Sequence, residues 1–344
     1  MRGRAKRPRS DRIGIPAIRP EDHPESMRPI PPDSGLENAL NAVVVDCLAV
    51  RAGEEVLVIA DPPSRELGDA LRDVAAQAGA DATLAVISER PTHGAEPPGP
   101  VAAALAAADA FIAPTTKSLS HTRARKRASE AGVRGATLPG VTAEMLARVM
   151  AVDFPALRER SRAVADRLSA ASEARITCPR GTDLKLDLSG REGLADDGDL
   201  SAPGAFGNLP CGEGFIAPSG GEGAVVASSV GSFGLVDPPF RLEVRDGRLA
   251  AADPGEAFLA HLLEAGGELG ANLAELGVGT NDRATLTGKM LEDEKILGTV
   301  HVAFGASAAI GGTVAVPVHE DVVVLDATLE VGGETVLDSG RLVA

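Results

Sequence analysis

His301, His319 and Asp321 lie near the C-terminal end, in a stretch otherwise rich in valine, alanine and glycine. Around the first of them, Val300, Val302 and Phe304 alternate with Thr299, His301 and Ala303. Successive side chains of a strand take opposite faces, so His301 is expected to leave the apolar face, beside small neighbours that make room for an ion. His319 and Asp321 are two residues apart and share a face in an extended segment, which suits chelation. Two imidazoles and a carboxylate fit zinc, cobalt, manganese or ferrous iron, and the residue types do not choose among these. Two acidic turns extend the set: Glu213 stands between Gly212 and Gly214, and Glu275 precedes the glycine-rich run Leu276-Gly277-Val278-Gly279. Taken alone, either glutamate reads equally as a solvated turn residue. Glu292-Asp293-Glu294 precedes the His301 segment. Three consecutive acids cannot all face one ion, so this triplet is expected to be mainly solvated, with Lys295 partly neutralising it and Glu294 an outside candidate.

The elements that must position these groups follow from changes of period along the chain. Residues 1–35 are basic and broken by Pro16, Pro20, Pro24, Pro29, Pro31 and Pro32, a composition that cannot bury a core. They are expected to be a disordered leader, with Met27 as an alternative start. From Leu36 the pattern is helical through Leu40, Val43, Val44 and Cys47, with Gly53 closing the helix. Glu54 to Ala60 then reads as a buried strand, Leu67, Leu71, Val74 and Ala75 as a helix face, and Ala82 to Ile87 as a second strand. Strand, helix and strand in about thirty residues imply a βαβ unit and a parallel sheet. No GxGxxG follows the first strand, so the expectation for residues 36–172 is a Rossmann-like α/β domain without a dinucleotide. Within it, Ser118 to Arg127 reads as a helix capped by Ser120 or Thr122 with a solvated basic face. The alternative is an anion-binding edge in which His121 or Arg123 meets a substrate carboxylate. Beyond Arg175 the period becomes two, as in Leu184, Leu186 and Leu188 or Phe240, Leu242 and Val244. Residues 173–344 are therefore expected to form a mixed or antiparallel α+β domain that carries the metal chemistry, with Glu256–Glu268 as its clear helix.

Composition narrows the function further. The 344 residues carry a formal charge of −15, with eight phenylalanines and neither tyrosine nor tryptophan. Most of the acidic excess lies in the second half. An acidic body repels a phosphate backbone, and the scarcity of stacking rings removes a single-strand platform, so nucleic acid is not an expected partner. No run of eighteen apolar residues marks a membrane span. Cys47, Cys178 and Cys211 are too few and too scattered for a disulfide framework, which points to a reducing, cytoplasmic setting.

Four ordered motifs resemble the aminopeptidase T family of metallo-aminopeptidases: Asn208 to Pro218, Ala274 to Asn281, Asp293 to Gly305, and His319-Glu320-Asp321. The Ser118–Arg125 and Leu138–Thr142 stretches resemble shorter prokaryotic members. The resemblance covers roughly residues 50–344. It implies that Glu213, Glu275, His301, His319 and Asp321 ligate two divalent ions (zinc, cobalt, manganese or magnesium) in a homodimer acting on a peptide or other small substrate. A metal-activated water would then remove the N-terminal residue, with Glu213 or Glu275 passing the proton to the leaving amine. One departure stands out, because the family's peptidases carry a tyrosine a few residues after the first histidine. The nearest position here is Ala308, so Ser307 or a bound water would have to replace the tyrosine as oxyanion donor. His301, His319 and Asp321 also match the two-histidine-one-carboxylate set of a mononuclear ferrous oxygenase, and ring-cleaving 2,5-dihydroxypyridine dioxygenases resemble this superfamily. A third possibility is a catalytically silent binding protein.

Overall fold

The computed structural model describes residues 32–343. The expected leader up to residue 31 lies outside the described residues, while Pro32–Asn41 already forms a helix. That helix passes into a wide turn, Ala42–Cys47, which buries Val43, Val44 and Cys47 completely. The helix thus ends before Gly53, which occupies the turn into the first strand at φ 84°.

Five parallel strands form one sheet, ordered in space Asp81–Val86, Glu55–Ala60, Ala110–Ala113, Arg134–Thr137 and Phe206–Asn208. The βαβ expectation holds: Arg65–Gln77 crosses between the first two strands in sequence and buries Leu67, Leu71, Val74 and Ala75. The fifth strand comes from beyond residue 173, so the second half of the chain completes the sheet begun by the first half.

The second sheet has 13 strands, and its recorded pairings are antiparallel. Its functional centre is a run of five neighbours: His319–Val324, Val300–Gly305, Leu273–Gly279, Glu213–Ile216 and Leu194–Asp196. One face of that run packs Leu276, Val278, Val300, Val302, Phe304, Val322 and Val324 into the larger hydrophobic core, where Phe258 and Leu262 of helix Glu256–Gly266 also sit. The alternation of apolar and small or polar residues is what sends the other set of side chains to the opposite face. Among the described residues, no helix is long and apolar enough to cross a membrane.

Candidate metal centre

Strand register assembles the site. Gly277 pairs with His301, Ala303 with Asp321, Gly305 with His319, Gly279 with Glu213, and Asp196 with Glu213. Paired residues share a face, so Asp196, Glu213, Glu275, His301, His319 and Asp321 all stand on the side opposite the core. Glycine makes the room. A Cβ on Gly277 would lie 2.0 Å from His301 Nε2, and one on Gly214 would lie 2.7 Å from Val164 of helix Phe154–Ala170. The glycines around Glu213 therefore let a helix press against a buried strand instead of forming a solvated turn. Glu213 and Glu275 are only 7% and 6% exposed. Gly277→Ala is expected to push the His301 ring against Glu275 and weaken metal binding by no more than the loss of His301 itself; circular dichroism should still report a folded chain. Unchanged metal content would show that the pocket yields.

The five residues singled out from the sequence converge. His301 Nε2 lies 3.2 Å from Glu213 Oε2 and 3.5 Å from Glu275 Oε1, while His319 Nε2 lies 3.3 Å from Glu275 Oε2 and 3.6 Å from Asp321 Oδ1. They form two groups, Glu213–Glu275–His301 and Glu275–His319–Asp321, each with ligand atoms within 4.8 Å of one another and with Glu275 common to both. The two histidines of the oxygenase-type set thus fall in different groups, His301 with Glu213 and Glu275, and His319 with Glu275 and Asp321.

The donor set fits a metal ion. Glu213 Oε2 and both ring nitrogens of His301 are buried without a directed hydrogen bond among the described residues, despite their close approach. Buried polar atoms left in that state are costly unless a proton or a metal ion binds them. His319 is oriented for ligation: its Nδ1 lies 2.7 Å from the Ala306 carbonyl. Nδ1–H donates to that oxygen, leaving the Nε2 lone pair facing Glu275 and Asp321. Burial would lower both histidine pKa values, but Glu213 and Glu275 around His301, and Asp321 and Glu275 around His319, hold them well above the ordinary value. Burial would likewise raise Glu275, and the two imidazoles instead hold it far below the carboxylate range. A metal ion would take the place of the protons that these charges attract.

The acidic triplet is not solvated. Glu292 and Asp293 are fully buried and Glu294 is nearly so, because residues 281–299 turn inward and supply each acid with its own partner. Arg148 makes a two-pronged contact with Glu292 (2.5 and 3.0 Å), and Asp293 accepts from Ser229 Oγ at 2.6 Å and from the Thr287 and Gly288 amides at 2.8 and 2.9 Å. Lys295, 1% exposed, reaches Glu213 at 2.5 Å, Glu294 at 3.0 Å and Asp196 at 3.2 Å. Burial pushes Asp196 up to about 7 and Glu294 up to about 8, against the lowering pull of Lys295. Arg148→Ala should cost about 3 kcal/mol, the low end for breaking a buried pair, since Arg148 keeps part of its side chain in water. With an unfolding entropy of about 2.1 cal/mol/K per residue, that is a melting-point drop of about 4–5 °C. Glu292→Gln added to Arg148→Ala should recover most of it, because no unpaired charge remains.

Beside the open side of this centre stands His121, its ring centroid 6.3 Å from that of His319. It follows the strand Ala110–Ala113, on a loop pinned by Ser120, whose Oγ lies 2.7 Å from Thr137 Oγ1 and 3.1 Å from Asn208 Oδ1. His121 as a whole residue is exposed. Burial, helped by His319 and Arg125, pushes its pKa down to about 4. Arg123 does not reach the site: it is 82% exposed in its side chain and pairs with Glu96. Thr122 caps helix Arg123–Glu130 by accepting from the Arg125 amide, as the capped-helix reading expects. Ser307 accepts the Val314 amide at 3.2 Å, and Ala308 begins an exposed turn. The sequence reading passed over Asp196 and treated Lys295 as a partial neutraliser of solvated acids; only the register that brings distant strands together shows what both touch.

Comparison with known proteins places this geometry. The 2,5-dihydroxypyridine 5,6-dioxygenase family matches the sequence over residues 37–344. No curated protein matches it. Among solved structures, the chain is similar to the 2,5-dihydroxypyridine dioxygenase of Pseudomonas putida KT2440, with a TM-score of 0.79 and 18% identity over 92% of this chain and 99% of that one. It is also similar to AmpT from Thermus thermophilus, with a TM-score of 0.67 and 21% identity over 91% of this chain and 100% of that one. At these identities the two structures share the fold, so the resemblance to aminopeptidase T holds for architecture. The protein is a metal-dependent enzyme on that fold, and the chain belongs to the 2,5-dihydroxypyridine 5,6-dioxygenase family.

Proposed function

We propose that this protein opens the ring of a 2,5-dihydroxypyridine by adding dioxygen at a single ferrous ion held by Glu275, His319 and Asp321. The observation that carries the reading is the unequal exposure of the two ligand groups. His319 and Asp321 keep 17% and 14% of their side-chain surface open, whereas His301 keeps 1%. The outer group therefore has the more open ligands, and that is the side from which we expect substrate to arrive. Ferrous iron bound there would supply the activation of dioxygen. The Ala306 carbonyl holds the His319 ring in a ligating orientation. His121 stays neutral around neutral pH and sits where it can take a proton from a substrate hydroxyl, which makes it the general base of this reading.

One observation favours the hydrolase reading: Glu275 belongs to both groups and could bridge two ions. In that case the pair would activate a water for aminopeptidase chemistry, with Glu213 or Glu275 moving the proton. Against it, the chain has no tyrosine to donate to an oxyanion. The test is to load metal-free protein separately with ferrous iron, zinc, cobalt, manganese and magnesium. Oxygen uptake with loss of 2,5-dihydroxypyridine absorbance is then followed beside hydrolysis of aminoacyl anilides. Iron-dependent oxygen uptake is the expected result. Anilide cleavage under any metal, with no oxygen uptake under iron, would overturn it.

A further inference from the structure

We infer that Lys295 is a built-in cation that stands in for a second metal ion and so limits the centre to one. The inference rests on the single-ion reading above and goes beyond it by naming the residue that enforces the number.

Glu213, Glu275 and His301 bring their ligand atoms within 4.8 Å of one another, which by itself describes a second ion site beside the outer one. Glu213 Oε2 and both nitrogens of His301 are buried there without directed hydrogen bonds. Yet the other oxygen of Glu213 lies 2.5 Å from the Lys295 ammonium. A divalent ion on Oε2 would share one carboxylate with a fixed positive charge, in an interior where charges are weakly screened. The lysine cannot step aside into water. It is 1% exposed, and its remaining polar contacts are the enclosed carboxylates Glu294 at 3.0 Å and Asp196 at 3.2 Å. Its backbone is also tied down: the amide donates to the Glu292 carbonyl at 3.0 Å, and its carbonyl accepts from the Asn281 amide at 2.9 Å. Lys295 therefore acts through Glu213, as a positioning residue that touches neither substrate nor the ion of the outer group.

The test is a manganese titration of the metal-free full-length protein, read by calorimetry and by electron paramagnetic resonance. Wild type is expected to bind one equivalent. Lys295→Met should bind two and give the spectrum of an exchange-coupled pair. Affinity for the first ion should change by no more than about tenfold, the lower end of what outer partners of metal ligands contribute. Lys295→Gln, which keeps polar contacts without the charge, decides the same question if the methionine variant does not fold. Two equivalents of comparable affinity in wild type would overturn the single-ion reading and this inference together. One equivalent in wild type and still one in folded Lys295→Met or Lys295→Gln would overturn the role of Lys295 alone.

Discussion

His319→Ala is expected to release the metal ion and with it all turnover, while His301→Ala should leave a folded protein with a weakened centre. The asymmetry follows from position. His319 has its tautomer fixed by Ala306 and faces two carboxylates on the open side, and it is the one nitrogen ligand of the outer group. Outer partners of metal ligands already cost about 10–100-fold in affinity when removed, and loss of a ligand itself should exceed that range. Asp321→Ala should behave like His319→Ala, since it removes the third member of the same group. Metal analysis after gel filtration gives the readout. Full iron content in both His319→Ala and Asp321→Ala would reject the outer group as the place where the ion sits. Affinity measured at several pH values should fall as pH falls, because both histidines hold protons above their ordinary pKa in the metal-free state.

His121→Ala is expected to do the opposite: iron content stays normal and kcat falls by about 10²–10⁴-fold, the usual contribution of a positioned general base. Its pKa, pushed down to about 4, keeps the imidazole neutral and able to accept a proton across the neutral range. Wild-type kcat at saturating iron should then be flat from about pH 5.5 upward as far as this residue is concerned. An acid limb near the ordinary histidine value would show that His121 is not held neutral. Equal kcat in the variant would remove it from the chemistry altogether.

Much of the site was legible because strand periodicity is a local property. The alternation around Val300, Val302 and Phe304 placed His301 opposite the core, and the spacing of His319 and Asp321 placed both on one face. What the pattern could not supply was the partner across the sheet. Gly277 is the residue that makes room for His301, and it lies on a different strand from the small neighbours the sequence suggested. Burial of the acidic triplet was hidden for the same reason. Arg148, Ser229 and Lys295 compensate the three acids, and the first two stand far away in sequence. The sequence motifs read as aminopeptidase T reached the correct architecture; the family match, over nearly the whole described chain, is to the dioxygenases.

The strand Phe206–Asn208 has a consequence for how the chain must be made. Until it emerges from the ribosome, Arg134–Thr137 is the rim of an unfinished sheet, with its hydrogen-bonding groups on offer to any other extended chain. At typical elongation rates of about 5–20 residues per second, the roughly 70 residues between them keep that rim open for several seconds. Phe206, which closes over Phe111 and carries the Arg125 guanidinium 4.1 Å above its ring, arrives with the same strand. A nascent chain stopped at residue 172 therefore presents both a raw backbone edge and an uncovered aromatic. Such a truncated product should collect in inclusion bodies under conditions in which the full-length chain does not.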